Sequence, residues 1–152
     1  MNKILIFGVG LIGGSLALNA KNTAFASHIV GVGRNQDNLD DAIKLKLIDR
    51  ISDDLKKDIA ESHIIVIAAP VAQFASILKT IQPHLASHTI ITDVGSTKTE
   101  VMKSAKEILG AQYSQFIGGH PIAGSEKHGA TSADIDLFKN KNGKLFITEK
   151  NN

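Results

Sequence analysis

The sequence predicts an α/β protein with a doubly wound, mostly parallel sheet that helices cover on both faces. Three observations predict it. Short runs rich in Ile and Val alternate with segments of helical periodicity, most of these runs are continuously apolar, and a glycine-rich turn directly follows the first run. The length of 152 residues suits one such unit, so we expect a single domain over residues 1–152.

Six apolar runs are predicted to form the strands of the sheet. They comprise residues 3–8, 28–33, 63–69, 89–93, 115–118 and 144–148. A strand that packs helices on both faces has no polar side, which explains why most of these runs do not alternate between polar and apolar residues.

Two intervening segments carry apolar side chains at helical spacing. The apolar positions are Val71, Phe74, Leu78 and Ile81 in the first, and Val101, Ala105, Ile108 and Leu109 in the second. Thr97, followed three residues later by Glu100, predicts a capping box that begins the second helix. Ser96 with Thr99 offers an alternative register for the same cap.

The composition excludes several classes of protein. Lys and Arg total 17 against 15 Asp and Glu, and a formal net charge of +2 provides no basic field for nucleic acid or an anionic membrane. The absence of cysteine excludes a disulfide framework. The longest apolar run, residues 64–69, is far shorter than the roughly 18 residues of a membrane helix, and the N-terminus lacks the layout of a signal peptide. We therefore expect a cytoplasmic protein with no nucleic-acid or membrane partner.

The glycine-rich turn has the pattern of a dinucleotide site. Gly8, Gly10 and Gly13 form G-x-G-x-x-G after the first predicted strand and at the start of a helix. In that context the first glycine allows the tight turn, the second lets a pyrophosphate approach the backbone, and the third lets the helix pack on the strand. Leu11 and Ile12 open the helix, whose N-terminal amides attract phosphate. A tight turn without a ligand is the alternative interpretation.

The end of the second predicted strand indicates which dinucleotide binds. An NAD site usually has Asp or Glu about twenty residues after the last motif glycine, where the carboxylate binds the ribose 2′-hydroxyl. Gly33, Arg34 and Asn35 lie there instead. Because a guanidinium binds a 2′-phosphate through two hydrogen bonds, we expect NADP as the cofactor. Binding of both NADP and NAD is the alternative if Arg34 is only a solvated surface residue.

A second glycine-rich segment, residues 118–129, contains the candidate catalytic residue. His120 lies between Gly119 and Pro121, and the proline favours an extended backbone before it. A neutral imidazole accepts a proton near neutral pH, which the removal of hydride from an alcohol requires. Ser96 follows another predicted strand, so we expect it at the same edge of the sheet as His120 and the cofactor. A structural histidine and a helix-capping serine are the alternatives.

A metal site is not expected in this segment. His120, Glu126 and His128 lack the helical spacing of a ligand set, and the chain has no cysteine to complete one.

Four segments together resemble the nucleotide-binding domain of the prephenate/arogenate dehydrogenase family. They are Gly8–Ser15 (GVGLIGGS), Ala68–Val71 (AAPV), Asp93–Lys98 (DVGSTK) and Gly119–Glu126 (GHPIAGSE), and they occur in the family's order. The first is shared with many dehydrogenases, whereas the last two together are specific. The resemblance implies a Rossmann-like NAD(P)-binding domain.

The resemblance also implies roles for individual residues. His120 matches the catalytic histidine that assists deprotonation of the substrate hydroxyl. Ser96 matches the serine that orients that histidine and lies near the nicotinamide. Glu126 matches an acidic residue at the substrate entrance. The loop beside the nicotinamide ribose corresponds to Ala69, Pro70 and Val71.

The implied reaction is the oxidative decarboxylation of prephenate or arogenate, a step of tyrosine biosynthesis, with hydride transfer to the nicotinamide. The family carries a second, helical domain that forms a homodimer and completes the substrate pocket, and the 152 residues contain no counterpart. We therefore expect weak turnover or none from this chain alone. The alternatives are an NADP-binding reductase of the β-hydroxyacid or imine type and a non-catalytic NADP-sensing module.

Overall fold

The computed structural model describes residues 2–122 and 127–147, which form one seven-stranded sheet flanked by helices. The strands are β1 (Asn2–Phe7), β2 (Ala26–Val32), β3 (Arg50–Ile51), β4 (Ile64–Ile67), β5 (Ile90–Asp93), β6 (Phe116–Pro121) and β7 (Gly143–Ile147). The helices are α1 (Leu11–Asn22), α2 (Gln36–Lys44), α3 (Leu55–Glu61), α4 (Phe74–Ile81) and α5 (Lys98–Leu109). Four 3₁₀ turns occupy Val71–Gln73, Gln82–His84, Gly110–Gln115 and Ala130–Ser132.

The strand order is β3-β2-β1-β4-β5-β6-β7. Every neighbouring pair is parallel except β6 and β7, which are antiparallel. The first six strands follow the order of the dinucleotide-binding fold. The predicted fold class, a doubly wound and mostly parallel sheet, is therefore confirmed.

All six predicted strands are present, and one further strand was not predicted. The additional strand, β3, has two residues and pairs with β2 at the edge of the sheet. Two residues carry no measurable hydrophobic period, so the sequence contained no signal for it.

The core consists of two apolar layers, one on each face of the sheet. In β1, Leu5 and Phe7 face the layer that contains α4 and α5, whereas Ile4 and Ile6 face the layer that contains α1 and α2. Consecutive side chains of a strand point to opposite faces, so both sets become buried. This double burial explains why the central strands read as unbroken apolar runs.

The two predicted helical faces are largely buried. In α4 and α5 the buried positions are Phe74, Leu78, Ile81, Val101, Ala105 and Leu109, and Ile108 packs partly against them. Val71 departs from the prediction, because it lies in a 3₁₀ turn ahead of α4 and is 40% exposed.

The predicted capping box at the start of α5 is wrong. Thr97 occupies the cap position, but its side chain makes no capping hydrogen bond, and the alternative register on Ser96 is not used. The Lys98 side chain instead pairs with Asp93, at the end of the preceding strand. Among the residues that the structure describes, no helix is long and apolar enough to cross a membrane.

Candidate cofactor and active site

The strand order places a crevice at the carboxyl end of β1. Strand β1 lies between β2 and β4. The sheet continues from β2 to β3 on one side and from β4 to β5 on the other. Ligands of open α/β sheets bind at such a reversal of strand order. The Gly8 N–H donates to the Val32 carbonyl at 2.8 Å, and the Ala68 N–H donates to the Phe7 carbonyl at 2.7 Å. The turns after all three strands therefore begin side by side.

A cleft of about 490 Å³ opens at this position. Six of the predicted cofactor-binding residues line it: Gly8, Gly10, Gly33, Arg34, Ala69 and Pro70. Five others lie outside its lining: Leu11, Ile12, Gly13, Val71 and Ser96. The first turn of α1 contains Leu11, Ile12 and Gly13. These residues therefore lie at the helix N-terminus beside the cleft.

The three motif glycines are required for different physical reasons. Gly8 has a positive φ of 93°, and an added Cβ would lie 2.6 Å from the Ala68 carbonyl oxygen. At Gly13 an added Cβ would lie 2.1 Å from the Gly8 carbonyl oxygen, so helix α1 packs on β1 only through glycine. At Gly10 an added Cβ would meet nothing within 4 Å. Packing within the protein thus explains Gly8 and Gly13, whereas the open space at Gly10 fits a ligand that approaches the backbone.

The β2 side of the cleft carries a positive charge. Arg34 is exposed and lines the cleft, and Asn35 caps α2 by accepting a hydrogen bond from the Asn38 N–H at 3.0 Å. Among the described residues that line the cleft there is no Asp or Glu. Within the described lining, this end of the cleft thus offers a guanidinium and no carboxylate to a bound group.

Asn38 is a cleft residue that sequence reasoning missed. Its Nδ2 donates to the Val9 carbonyl at 2.8 Å, and its Oδ1 accepts from the Ala130 N–H at 2.7 Å. The amide thus joins the first glycine-rich turn to the segment after the second, and Gly129 lines the same cleft. No pattern in the sequence identifies a polar residue inside a helix as a link between two distant turns.

Helix α1 also holds that distant segment. The Ser15 hydroxyl donates to the Leu11 carbonyl at 2.5 Å and accepts from the Asp134 N–H at 2.9 Å. The Cβ that Gly14 lacks would lie 2.9 Å from the Ala133 Cβ. The chain after β6 therefore returns to the cofactor cleft and packs against the helix that opens it.

Ser96 and His120 lie at the carboxyl side of two neighbouring parallel strands. Ser96 is exposed in the loop between β5 and α5, and His120 is half-buried near the end of β6. Strand β6 runs in the same direction as β1, so His120 and the glycine turn lie on the side of the sheet where the parallel strands end. Their two strands are three spacings of about 4.8 Å apart. Within the described residues no hydrogen bond joins Ser96 to His120.

A buried ion pair lies in the segment that contains Ser96, next to strand β6. The carboxylate of Asp93 pairs with the ammonium of Lys98, and the residues are 2% and 9% exposed. Burial lowers the pKa of Lys98, and the nearby Asp93 carboxylate only partly opposes that effect. The geometry shows that the Lys98 ammonium is paired with the Asp93 carboxylate.

Glu126, the predicted acidic residue of the substrate entrance, lies outside the described residues. Within the described part of the chain, no cluster of three His, Cys, Asp or Glu side chains could hold a metal ion.

Comparison with known families and structures gives a consistent result. The chain matches the family described as "Prephenate dehydrogenase, nucleotide-binding domain" over residues 16–152. Curated relatives include the prephenate dehydrogenases of Bacillus subtilis, 40% identical over 91% of this chain and 38% of that protein, and of Lactococcus lactis, 41% identical over 92% and 39%. The chain therefore spans about two fifths of the length of these curated relatives.

Solved structures of similar proteins share the fold over nearly the whole chain. Prephenate dehydrogenase from Aquifex aeolicus, in complex with hydroxyphenyl propionate and NAD+, superimposes with a TM-score of 0.89 at 32% identity, over 100% of this chain and 52% of that one. Arogenate dehydrogenase from Synechocystis gives a TM-score of 0.85 at 34% identity, over 97% and 50%.

Proposed function

The chain belongs to the prephenate dehydrogenase family, whose nucleotide-binding domain it matches, and from that premise we propose that it binds NADP and supplies half of a dehydrogenase site. The substrate is prephenate or arogenate, and the reaction is oxidative decarboxylation. The observation that carries the proposal is that one edge of the sheet bears both the glycine-lined cleft and His120.

The cofactor cleft supports a bound nicotinamide dinucleotide. Gly10 leaves its backbone open at the N-terminus of α1, where amide N–H groups and the helix dipole bind a pyrophosphate. The Aquifex aeolicus relative is described as a complex with NAD+, which supports the same class of cofactor here. A nicotinamide held here would supply the acceptor for the hydride that leaves the carbinol carbon of the substrate.

Arg34 supports NADP rather than NAD. Its guanidinium lines the end of the cleft at which β2 terminates, and the described lining contains no carboxylate that would repel a 2′-phosphate. We propose a preference for NADP with residual binding of NAD.

His120 and Ser96 are the side chains of this chain that we propose act in the reaction. His120 takes the proton of the substrate hydroxyl as a general base, and its position near the end of β6 directs it to the edge where the cofactor lies. Ser96, on the neighbouring loop, orients the histidine and lies near the site of the nicotinamide. Loss of the ring carboxylate as CO₂ and aromatisation drive the reaction, so alignment and one base are what the protein contributes.

Binding and catalysis are tested separately. Calorimetric titration of the 152-residue chain with NADP, and then with NAD, measures the cofactor site by itself. The chain is next mixed with the part of the Bacillus subtilis relative that it does not cover, about three fifths of that protein. The family resemblance predicts the helical domain there, so we call this part the helical half. The mixture is assayed with prephenate and with arogenate. We expect NADP binding by the chain and dehydrogenation only in the mixture. Tight binding with no dehydrogenation in any assembly would instead favour a cofactor-sensing module.

The choice between prephenate and arogenate rests on groups outside this chain. Assembly as a homodimer through a helical domain stays a prediction that follows from the family resemblance. A location in the cytoplasm also stays a prediction.

A further inference from the structure

Asp93, the last residue of β5, joins the loop and helix start that directly follow it to the neighbouring strand β6 through one buried carboxylate. The Gly95 N–H donates to its Oδ2 at 2.9 Å, and the Gly119 N–H donates to its Oδ1 at 3.1 Å. The Lys98 ammonium pairs with Oδ2. Both carboxylate oxygens are therefore engaged, and the residue is only 2% exposed.

The two backbone partners of Asp93 immediately precede the two candidate reaction residues. Gly95 is followed by Ser96, and Gly119 is followed by His120. At Gly119 an added Cβ would lie 2.5 Å from the Asp93 carbonyl oxygen, and at Gly95 it would lie 3.0 Å from Oδ2. Glycine at both positions thus lets the backbone come close enough for the carboxylate to hold it.

Resting on the proposed function, we propose that Asp93 is a positioning residue for the dehydrogenase reaction. Its carboxylate fixes the backbone beside Ser96 and the backbone beside His120 in one relative geometry. Lys98 neutralises the buried charge and holds the carboxylate in that orientation.

A carboxylate is the side chain that this arrangement requires. Three donors converge on Asp93, and an ionised carboxylate has only acceptors. In an Asp93→Asn variant the amide keeps one acceptor oxygen, whereas its NH₂ group faces a donor. At least one of the two backbone tethers is therefore lost, and the buried Lys98 ammonium loses its partner charge.

Two variants test the inference on the 152-residue chain. Asp93→Asn removes the charge, and the double variant Asp93→Asn/Lys98→Met also removes the ammonium that would otherwise be left unpaired. Asp58→Asn is the matched control, because Asp58 is another buried, ion-paired carboxylate, bound to Lys3 near the amino end of β1. Amide NMR measures the resonances and hydrogen exchange of Gly95 and Gly119, and calorimetry measures NADP binding.

We expect the double variant to fold, to bind NADP within twofold of the wild type, and to exchange the Gly119 or Gly95 amide hydrogen at least tenfold faster. Unchanged resonances and exchange at both glycines would overturn the inference. The Asp58→Asn control should leave the resonances of both glycines as in the wild type, and it should speed their exchange only by the factor that its measured loss of stability predicts.

Turnover in the mixture with the helical half separates positioning from plain stability. We expect both Asp93 variants to lower kcat at least tenfold while the KM for NADP changes less than twofold, and Asp58→Asn to lower stability without lowering kcat. A wild-type kcat in the double variant would overturn the inference. An inactive wild-type mixture would contradict the proposed function instead, and the amide measurements would still decide whether Asp93 fixes the two segments.

Discussion

At the residue scale, we expect a substitution of Gly10 to affect ligand binding and a substitution of Gly13 to affect folding. An added Cβ at Gly13 meets the Gly8 carbonyl oxygen, whereas at Gly10 it meets only open space. We therefore expect Gly10→Ala to unfold at nearly the wild-type temperature but to bind NADP at least tenfold more weakly, a loss of about 1.4 kcal/mol. Gly13→Ala should be strongly destabilised. Thermal unfolding and calorimetric titration of both variants measure the difference, and wild-type affinity in Gly10→Ala would contradict a ligand at that position.

Arg34 determines the cofactor preference in our proposal, so its removal should act on one cofactor only. A charge-assisted pair with a 2′-phosphate contributes roughly 1.5–3 kcal/mol, and Arg34→Ala is therefore expected to weaken NADP binding at least tenfold. NAD binding should change less than twofold. Titration of both cofactors measures this, with Lys44→Ala as the control, because Lys44 is an exposed cation at the far end of α2 and outside the cleft lining. Equal losses for NADP and NAD would remove Arg34 from the discrimination.

The sequence identified residues whose role follows from local backbone chemistry and missed those whose role depends on tertiary contacts. Gly8, Gly10 and Arg34 follow strands, so their spacing alone predicted their place at the cleft. Asn38 and Asp93 act by contacting segments that are distant in sequence, at separations of 92 and 26 residues. No local pattern encodes such a pairing.

At the element scale, Asn38 links α2 to two turns of the cleft. Replacing it by Ala leaves the Val9 carbonyl and the Ala130 N–H without their partner, at a cost of roughly 1–3 kcal/mol. We expect Asn38→Ala to lower the free energy of unfolding by that amount, to speed exchange of the Ala130 amide hydrogen, and to weaken NADP binding. Gln36→Ala, an exposed change in the first turn of α2, is the control. Wild-type exchange at Ala130 would show that the link contributes nothing.

Helix α3 is held to the sheet by a buried carboxylate whose ionisation makes stability depend on pH. Burial alone would raise the pKa of Asp58, but hydrogen bonds from Arg50, Ser52 and Lys3 outweigh it and hold that pKa well below its usual range. Because the folded state binds the proton more weakly, the stabilisation is fully present above the ordinary carboxyl pKa of about 4 and is lost as the pH falls further.

Asp58→Asn is therefore expected to destabilise the protein at pH 7 by roughly 3 kcal/mol. This is the lower end for breaking a buried pair, because Arg50 is partly exposed and solvent screens it. The difference in unfolding free energy between wild type and variant should shrink as the pH falls below about 4. Urea unfolding at several pH values measures it, and a difference that stays constant from pH 7 to pH 3 would contradict the prediction.

The elements that the sequence predicted are those in which burial determines the spacing of the apolar residues. The central strands and the buried positions of α4 and α5 were found from apolar spacing. The two-residue β3, the exposed Val71 and the side-chain contact of Lys98 with Asp93 were not found. Their positions depend on which neighbour is available in the folded chain, and a residue pattern does not contain that information.

At the scale of the whole molecule, six parallel strands bring turns from distant parts of the chain to one edge. The cofactor cleft lies at β1, and Ser96 and His120 lie at β5 and β6. The strand order alone therefore brings the cleft and both candidate reaction residues to the side of the sheet where the parallel strands end. The proposed function places the rest of the reaction site in the part of the relatives that this chain, about two fifths of their length, does not cover.

Because His120 does not line the cleft, we expect it to affect turnover and not cofactor binding. In the mixture with the helical half, His120→Asn should lower kcat by roughly 10²–10⁴, the usual contribution of a general base, whereas NADP affinity of the chain should change less than twofold. His88→Asn is the matched control, since His88 is an exposed histidine that precedes β5 at the opposite edge of the sheet. Near-normal turnover in His120→Asn would remove the histidine from the mechanism. A parallel loss in His88→Asn would mean that the change acts through folding, because an imidazole at the far edge cannot reach the substrate.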